Sequence, residues 1–363
     1  MKNILLEEFS PICPVQAFVE EDEHGVYFYL WDHPGTEYAR IRSCCVRNYG
    51  TAPADLDLSA MEDGSAPMLP RDCCAHPNGA ERLDPDRLSI VWLEEGDAAA
   101  LLYENEVLSV IPGWAGPSED GSHYPAYARD CVAESSLCFP LGTPETNALY
   151  ARIESAQQFW SSWDAHPWPD LQQRYLDAIT SSLGPVKTYY GIDGGQWPPK
   201  ALVTVEKGDV TYAVTLGVSI LPQPKVEQYT EKPELLRRFE LAFAFETSSL
   251  APHEKEILSY ISGQTSLPWS YLTFLAHGHT LPCREIGQAD DRFASVLLAK
   301  PENAPAIAFP DKSGDPVQLL WMIPLTDAEL RFAKEHGSAS LLERVDGSSQ
   351  MWVFDGKPKF LGS

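Results

Sequence analysis

The sequence predicts an α+β fold in two domains, each a mostly antiparallel β-sheet with packed helices. Three observations carry that expectation. The chain has 363 residues, and at roughly 150 residues per domain this is about two domains, each able to bury its own core. Apolar residues make up 44% and charged residues 22%, close to the averages for folded soluble chains and unlike disordered or fibrous compositions. The charge is also uneven: residues 1–165 carry a formal net charge of −19 and residues 166–363 one of −6. The halves meet at a stretch containing Trp160, Trp163, Trp168 and Pro169. We therefore expect an acidic, strand-rich domain over 1–165 and an α+β domain over 166–363.

The opening apolar run, Ile4 to Leu6, is broken by Glu7 and Glu8, so no signal-peptide core is expected. One of the longest later runs, 317–325, falls far below the ~18 residues of a membrane span. A cytoplasmic location is the expectation. Strands are expected at 15–19, 26–31, 38–46, 88–93, 100–103 and 107–111, with a short element hidden in the long loop 51–85. Pro144 and Glu145 should open a helix whose stripe is Leu149, Ile153, Ala156, Trp160 and Trp163. A second helix should follow Pro169, present Leu171, Tyr175, Ile179 and Leu183, and stop at Gly184-Pro185.

In the second half, Val210, Tyr212, Val214, Leu216, Val218 and Ile220 alternate with smaller or polar residues, the period of a strand. Phe239, Leu241, Phe243 and Phe245 repeat the pattern against Arg238, Glu240, Ala242 and Ala244. Residues 201–206 should join the first of these strands through Lys207-Gly208-Asp209 as a hairpin. A helix beginning at Pro252 should present Ile257, Leu258 and Ile261 and stop at Gly263. Another should start with Thr326 as N-cap and Glu329 completing a capping box, with Leu325 and Leu330 as a hydrophobic staple and Gly337 as its terminator.

The net charge of −25 repels phosphate backbones and anionic lipid surfaces, so neither nucleic acid nor membrane is expected as a partner; it attracts cationic proteins. The exposed-looking run Glu20, Glu21, Asp22 and Glu23 is a candidate rim for such a partner. Trp269 and Tyr271 are aromatic anchors of the kind that also serve as interface hot spots. Eight cysteines contain no C-x-x-C pair; in a reducing compartment they read as small buried hydrophobes. Catalytic signatures are scarce. His253-Glu254 lacks a second histidine at position 257, which is Ile257, and 191–195 reads as a glycine turn with no following Lys-Ser or Lys-Thr. No catalytic residue and no cofactor are expected. The rival reading is a metal protein or enzyme using His277, His279 and Cys283, but structural zinc takes four ligands and no fourth is evident, so a tight loop about Gly278 with no bound metal is the expectation.

Read in order, the second half resembles the Suppressor of fused (SUFU) domain family. The matching pieces are Asp209-Val210-Thr211-Tyr212-Ala213-Val214-Thr215-Leu216-Gly217-Val218-Ser219, Arg238-Phe239-Glu240-Leu241-Ala242-Phe243, His277-Gly278-His279, Ser295-Val296-Leu297-Leu298-Ala299-Lys300-Pro301, and Leu319-Leu320-Trp321-Met322-Ile323-Pro324-Leu325-Thr326-Asp327-Ala328-Glu329-Leu330. The first half looks like the amino-terminal region of bacterial two-domain members through Ile111-Pro112-Gly113-Trp114 and Tyr127-Ala128-Arg129-Asp130. The resemblance implies an α+β protein-binding protein without catalytic site or obligatory cofactor. It further implies an immunity protein of a polymorphic toxin system, neutralising a basic toxin domain, and it matches Tyr212 to a tyrosine of the animal binding-strand region.

Overall fold

A computed structural model describes residues 2–57, 59, 66–117, 123–283, 286, 293–344 and 350–361. The chain divides into two units. The first comprises Met1–Ala165 with two later segments, Glu227–Thr230 and Trp269–Leu272; the second comprises His166–Val226, Glu231–Pro268 and Thr273–Ser363.

The first unit contains two main sheets where a single sheet was expected. Strands β1 (Asn3–Phe9), β2 (Val15–Glu21), β3 (Gly25–Asp32) and β4 (Arg40–Asn48) form an antiparallel meander. The second sheet runs in the order β11-β10-β7-β6-β5, from β5 (Leu88–Trp92), β6 (Ala99–Tyr103), β7 (Glu106–Ile111), β10 (Ala126–Ala128) and β11 (Cys138–Pro140). Only β10 and β11 are parallel in it. A small ribbon pairs β8 (Gly116–Pro117) with β9 (His123–Tyr124). Within the expected long loop, short helical turns occupy Arg71–Cys73 and Pro85–Arg87; residues 58 and 60–65 of that loop lie outside the described residues.

Arg42 of β4 is buried and donates to Asp32 Oδ1 at 2.6 Å, to the Asp97 carbonyl at 2.7 Å and to the Pro112 carbonyl at 3.1 Å. It thereby ties the meander to the loops that leave β5 and β7. Helix α1 (Leu149–Ser162) packs Leu149, Ile153 and Ala156 on Ala100, Leu102 and Val110. It starts five residues after Pro144, because Asn147 donates to the Leu141 carbonyl and accepts from the Leu149 amide, holding the preceding turn out of helix. Trp163 lies in the turn that follows the helix, edge-on to Phe159, a residue the expected stripe omitted.

In the second unit one sheet runs in the order β12-β13-β14-β15-β18-β17-β16. Its strands are β12 (Thr188–Gly191), β13 (Ala201–Lys207), β14 (Val210–Leu216), β15 (Arg238–Glu246), β16 (Thr280–Pro282), β17 (Phe293–Ala299) and β18 (Val317–Thr326), while β19 (Val353–Phe354) also pairs β15. All neighbours are antiparallel except β15 with β18 and β15 with β19. The β13–β14 hairpin pairs Lys207 with Val210 across Gly208-Asp209, with Gly208 at φ 65°. The strand expected over 210–220 ends at Leu216. Gly217 takes φ 93° and a side chain there would meet the Pro199 carbonyl at 2.5 Å, so the backbone turns and Val218–Ile220 form a helical turn.

Helix α2 (Trp168–Leu183) buries Tyr175, Ile179 and Leu183 against Val203, Val205, Val214, Ala242 and Ala244 and ends at Gly184 with φ 114°. Helix α3 (Glu254–Gln264) begins after a helical turn at Ala251–His253 and runs through Gly263, where a stop was expected. Helix α4 (Asp327–His336) has the expected capping box: the Glu329 amide donates to the Thr326 hydroxyl oxygen, and Glu329 Oε2 accepts from the Thr326 amide at 2.8 Å. The other oxygen of the buried Glu329 accepts from the amides of Lys359, Phe360 and Leu361 at 3.1, 2.8 and 3.3 Å. One carboxylate thus caps a helix and grips a distant segment.

Glu329→Ala is expected to destabilise the second unit by about 2–4 kcal/mol, combining a lost cap with lost charge-assisted hydrogen bonds. Amide exchange should accelerate at 359–361 well before the β14 and β15 amides respond. Equal acceleration in both places would show that the carboxylate does not hold this segment.

Candidate protein-binding surfaces

The acidic run proposed from sequence forms the β2–β3 hairpin and is less free than it reads. Glu20 pairs with Lys2 at 3.1 Å and Glu21 with Arg82 at 2.9 Å, and both carboxylates are more buried than their partners. Asp22 Oδ1 accepts from the amides of His24 at 2.8 Å and Gly25 at 3.0 Å, which shapes the turn. Glu23 is the exposed carboxylate of the four, with His24 at 3.5 Å.

The aromatic candidates separate. Tyr212 is 8% exposed, sits in the core under α2 and meets Trp321 edge to face at a centroid distance of 6.2 Å. Trp269 is 4% exposed, whereas Tyr271, two residues on in the short helix Leu267–Tyr271, is 71% exposed. Of the three, Tyr271 offers surface.

The histidine segment is a tight turn about Gly278. Gly278 has φ 90°, the His279 amide donates to the Ala276 carbonyl, and His277 Nδ1 accepts from the Lys300 amide at 3.1 Å. The His279 ring packs on Phe274, and Cys283 is buried. Partial burial holds both imidazoles below their usual pKa, with Lys300 adding to the effect at His277. Among the described residues no three His, Cys, Asp or Glu side chains are arranged to hold a metal ion, and His277, His279 and Cys283 do not form such a group.

A surface that the sequence reading passed over is the sheet edge at β12. It pairs on one side with β13, matching Thr188 with Thr204 and Gly191 with Ala201, and ends the sheet. Tyr189 and Tyr190 alternate across it, each 40% exposed, and Trp197 in the following loop is 36% exposed. Asp193 shapes that loop by accepting from the amides of Gly195 at 2.7 Å and Lys200 at 2.9 Å. The sequence signal was a short Thr-Tyr-Tyr run between Gly184-Pro185 and Gly191.

In the first unit Arg152 of α1 pairs with Glu95 and, at 3.3 Å, with Glu227, and lies over the Trp114 ring at 5.6 Å. Burial pushes the Glu95 carboxyl up to about 7; Arg152 opposes that rise, while Glu227 and Asp97 add to it.

Residues 197–357 match the family model described as Suppressor of fused protein (SUFU). The match takes in β13 through β19, and over this segment the chain is similar to the Suppressor of fused family. That family binds other proteins. No curated protein and no solved structure matches the chain. Among the described residues no helix is long and apolar enough to cross a membrane.

Because Glu95 takes up a proton more readily folded than unfolded, protonation favours the folded state. Its contribution is present below the ordinary value of 4.5 and is lost as pH rises toward about 7. Glu95→Gln, a neutral isostere, should therefore gain thermal stability relative to the parent as pH is raised from about 5 to about 8. A Tm difference independent of pH would contradict the shift.

Proposed function

We propose that this protein acts by binding another protein, without catalysis, and that its partner is cationic. The family match over 197–357 carries the protein-binding reading, and the formal net charge of −25 supports the sign of the partner. The β12 edge supports a mode of capture. An extended segment of the partner would pair its backbone with β12, while Tyr189 and Tyr190 contact alternate side chains from opposite faces. Tyr271 and Glu23 are exposed and available as further contacts. A role as a cytoplasmic bacterial immunity protein that neutralises a basic toxin domain fits these features, since such a protein needs fast capture and no turnover.

Co-purification from the native cell, with the neighbouring genes read for a toxin, identifies the partner for a kinetic test. The association rate should fall steeply between about 50 and 500 mM salt while dissociation changes less. Tyr189→Pro removes an N–H that points away from β13, since Ile192 bonds Lys200 across the ladder and the alternate residues face outward, and should speed dissociation by at least tenfold with the fold intact. An association rate indifferent to salt rules out electrostatic capture, and an unchanged dissociation rate rules out pairing at β12.

A further inference from the structure

Seven of the eight cysteines belong to the first unit; Cys13 lies between β1 and β2, and the other six lie from β4 to β11. Cys44 and Cys45 lie on β4, Cys138 begins β11, Cys73 ends the turn Arg71–Cys73, and Cys74 faces Cys131 across an isolated antiparallel bridge. All are free thiols, and all but Cys73 are buried. They are in register with one another through polar contacts. Cys131 Sγ donates to the Cys138 carbonyl at 3.4 Å, Cys138 Sγ to the Cys45 carbonyl at 3.6 Å, and Asn48 Nδ2 donates to Cys74 Sγ at 3.5 Å.

The bridge has a specific geometry. The Ala75 amide donates to the Asp130 carbonyl at 2.8 Å and the Val132 amide to the Cys73 carbonyl at 2.9 Å. Hydrogen bonds from the flanking residues make Cys74 and Cys131 a non-hydrogen-bonded antiparallel pair, the arrangement with Cα atoms about 4.5 Å apart and side chains at their closest. That separation lies at the short end of what a disulfide spans, so a bond there can form without moving the backbone far and is strained enough to be reduced readily. The segments are held in place on both sides: Asp130 pairs with Arg47 at 2.7 Å, and Asn48 bonds both the amide and the carbonyl of Leu69.

We propose that Cys74 and Cys131 are a reversible redox pair, closing to a cross-strand disulfide when the protein meets a peroxide. Cys131 is the attacking sulfur. Its hydrogen-bonding contact with the Cys138 side chain lowers its pKa, whereas burial raises that of Cys74. The Cys131 thiolate attacks one peroxide oxygen, the O–O bond breaks, and the leaving hydroxide takes a proton to become water. The sulfenic acid on Cys131 has then lost two electrons to the peroxide. Cys74 gives up its proton, its sulfur attacks the Cys131 sulfur, the S–O bond breaks, and a second water leaves. Two thiols and one hydrogen peroxide thus become one disulfide and two waters. A dithiol reductant reverses the step.

The full-length protein, reduced and then exposed to graded hydrogen peroxide, should lose two hydrogens by intact mass. Non-reducing peptide mapping should join the peptides holding Cys74 and Cys131, and dithiothreitol should undo the link. The crosslink closes a long loop, so the Tm of the first unit should rise by several degrees on oxidation. Cys74→Ser and Cys131→Ser should each abolish both the link and the Tm rise. The proposal fails if the wild-type protein instead joins Cys131 to Cys138, over-oxidises Cys131 without a link, or stays unmodified at peroxide levels that oxidise Cys73. The wild-type map decides this even if a serine variant folds poorly.

Discussion

The second unit is organised by two charged residues buried on its central strand. Glu240 and Arg238 of β15 are 0% and 1% exposed. An ion of either sign is costly to bury unless each polar atom finds a partner, and the surrounding chain supplies them. Glu240 Oε1 accepts from the Ser219 amide at 3.0 Å and hydroxyl at 2.7 Å, and Oε2 from the Thr215 hydroxyl at 2.6 Å. Arg238 donates to the carbonyls of Ser219 and Ile220 at 3.1 and 2.6 Å and to Asp315 at 3.3 Å. Ser219 also meets the Tyr175 hydroxyl at 2.6 Å, which fixes α2 over the sheet. The turn at Gly217 exists to bring Ser219 to this network, so the early end of β14 and the seating of α2 share one cause. Burial raises the Glu240 carboxyl above its usual range, against the pull of its hydroxyl and amide donors.

This arrangement marks the limit of what the sequence disclosed. The hairpin at Gly208, the stop at Gly184 and the capping box at Thr326 were legible because each depends on residues within a few positions. The alternation over 210–220 was legible as a strand but not its end, since Leu216 and Val218 look alike until the demand of Glu240 for Ser219 is known. Arg238, Glu240, Ala242 and Ala244 read as the polar face of β15, yet both faces are buried: α2 packs on Ala242 and Ala244, and Arg238 and Glu240 are enclosed by the network around Ser219. Strand β1 gave no period-two signal, as most of its residues are exposed. Pairing of β15 with β18 joins residues nearly eighty apart, beyond any local pattern.

The candidate surfaces follow the same rule. The charge of the first half was visible as a sum, but the role of each carboxylate was not: Asp22 shapes a turn and Glu21 holds Arg82, while Glu23 stays exposed. Tyr212 and Trp269 stood out by residue type and proved to be packing residues. The β12 edge was missed because four residues between turn signals are too short to show a period. Six cysteines scattered over Cys44 to Cys138 carry no motif spacing, and only the pairing of the two sheets and their turns brings them together.

The inward use of individual carboxylates does not weaken long-range attraction. An ion pair such as Glu20 with Lys2 cancels two charges locally, but the first half has too few cations to match its carboxylates, and its formal charge of −19 already counts every such pair. At distances near the Debye length of about 8 Å a partner senses this surplus and not the bonding of any one group. Close contact would obey other terms: in the proposed capture, backbone pairing and aromatic burial at β12 act only once the partner has arrived, and salt barely touches them. In the proposed capture, encounter and retention are therefore set by different parts of the sequence, so substitutions can change one while leaving the other, and the carboxylates that shape turns are constrained by folding before they are constrained by binding.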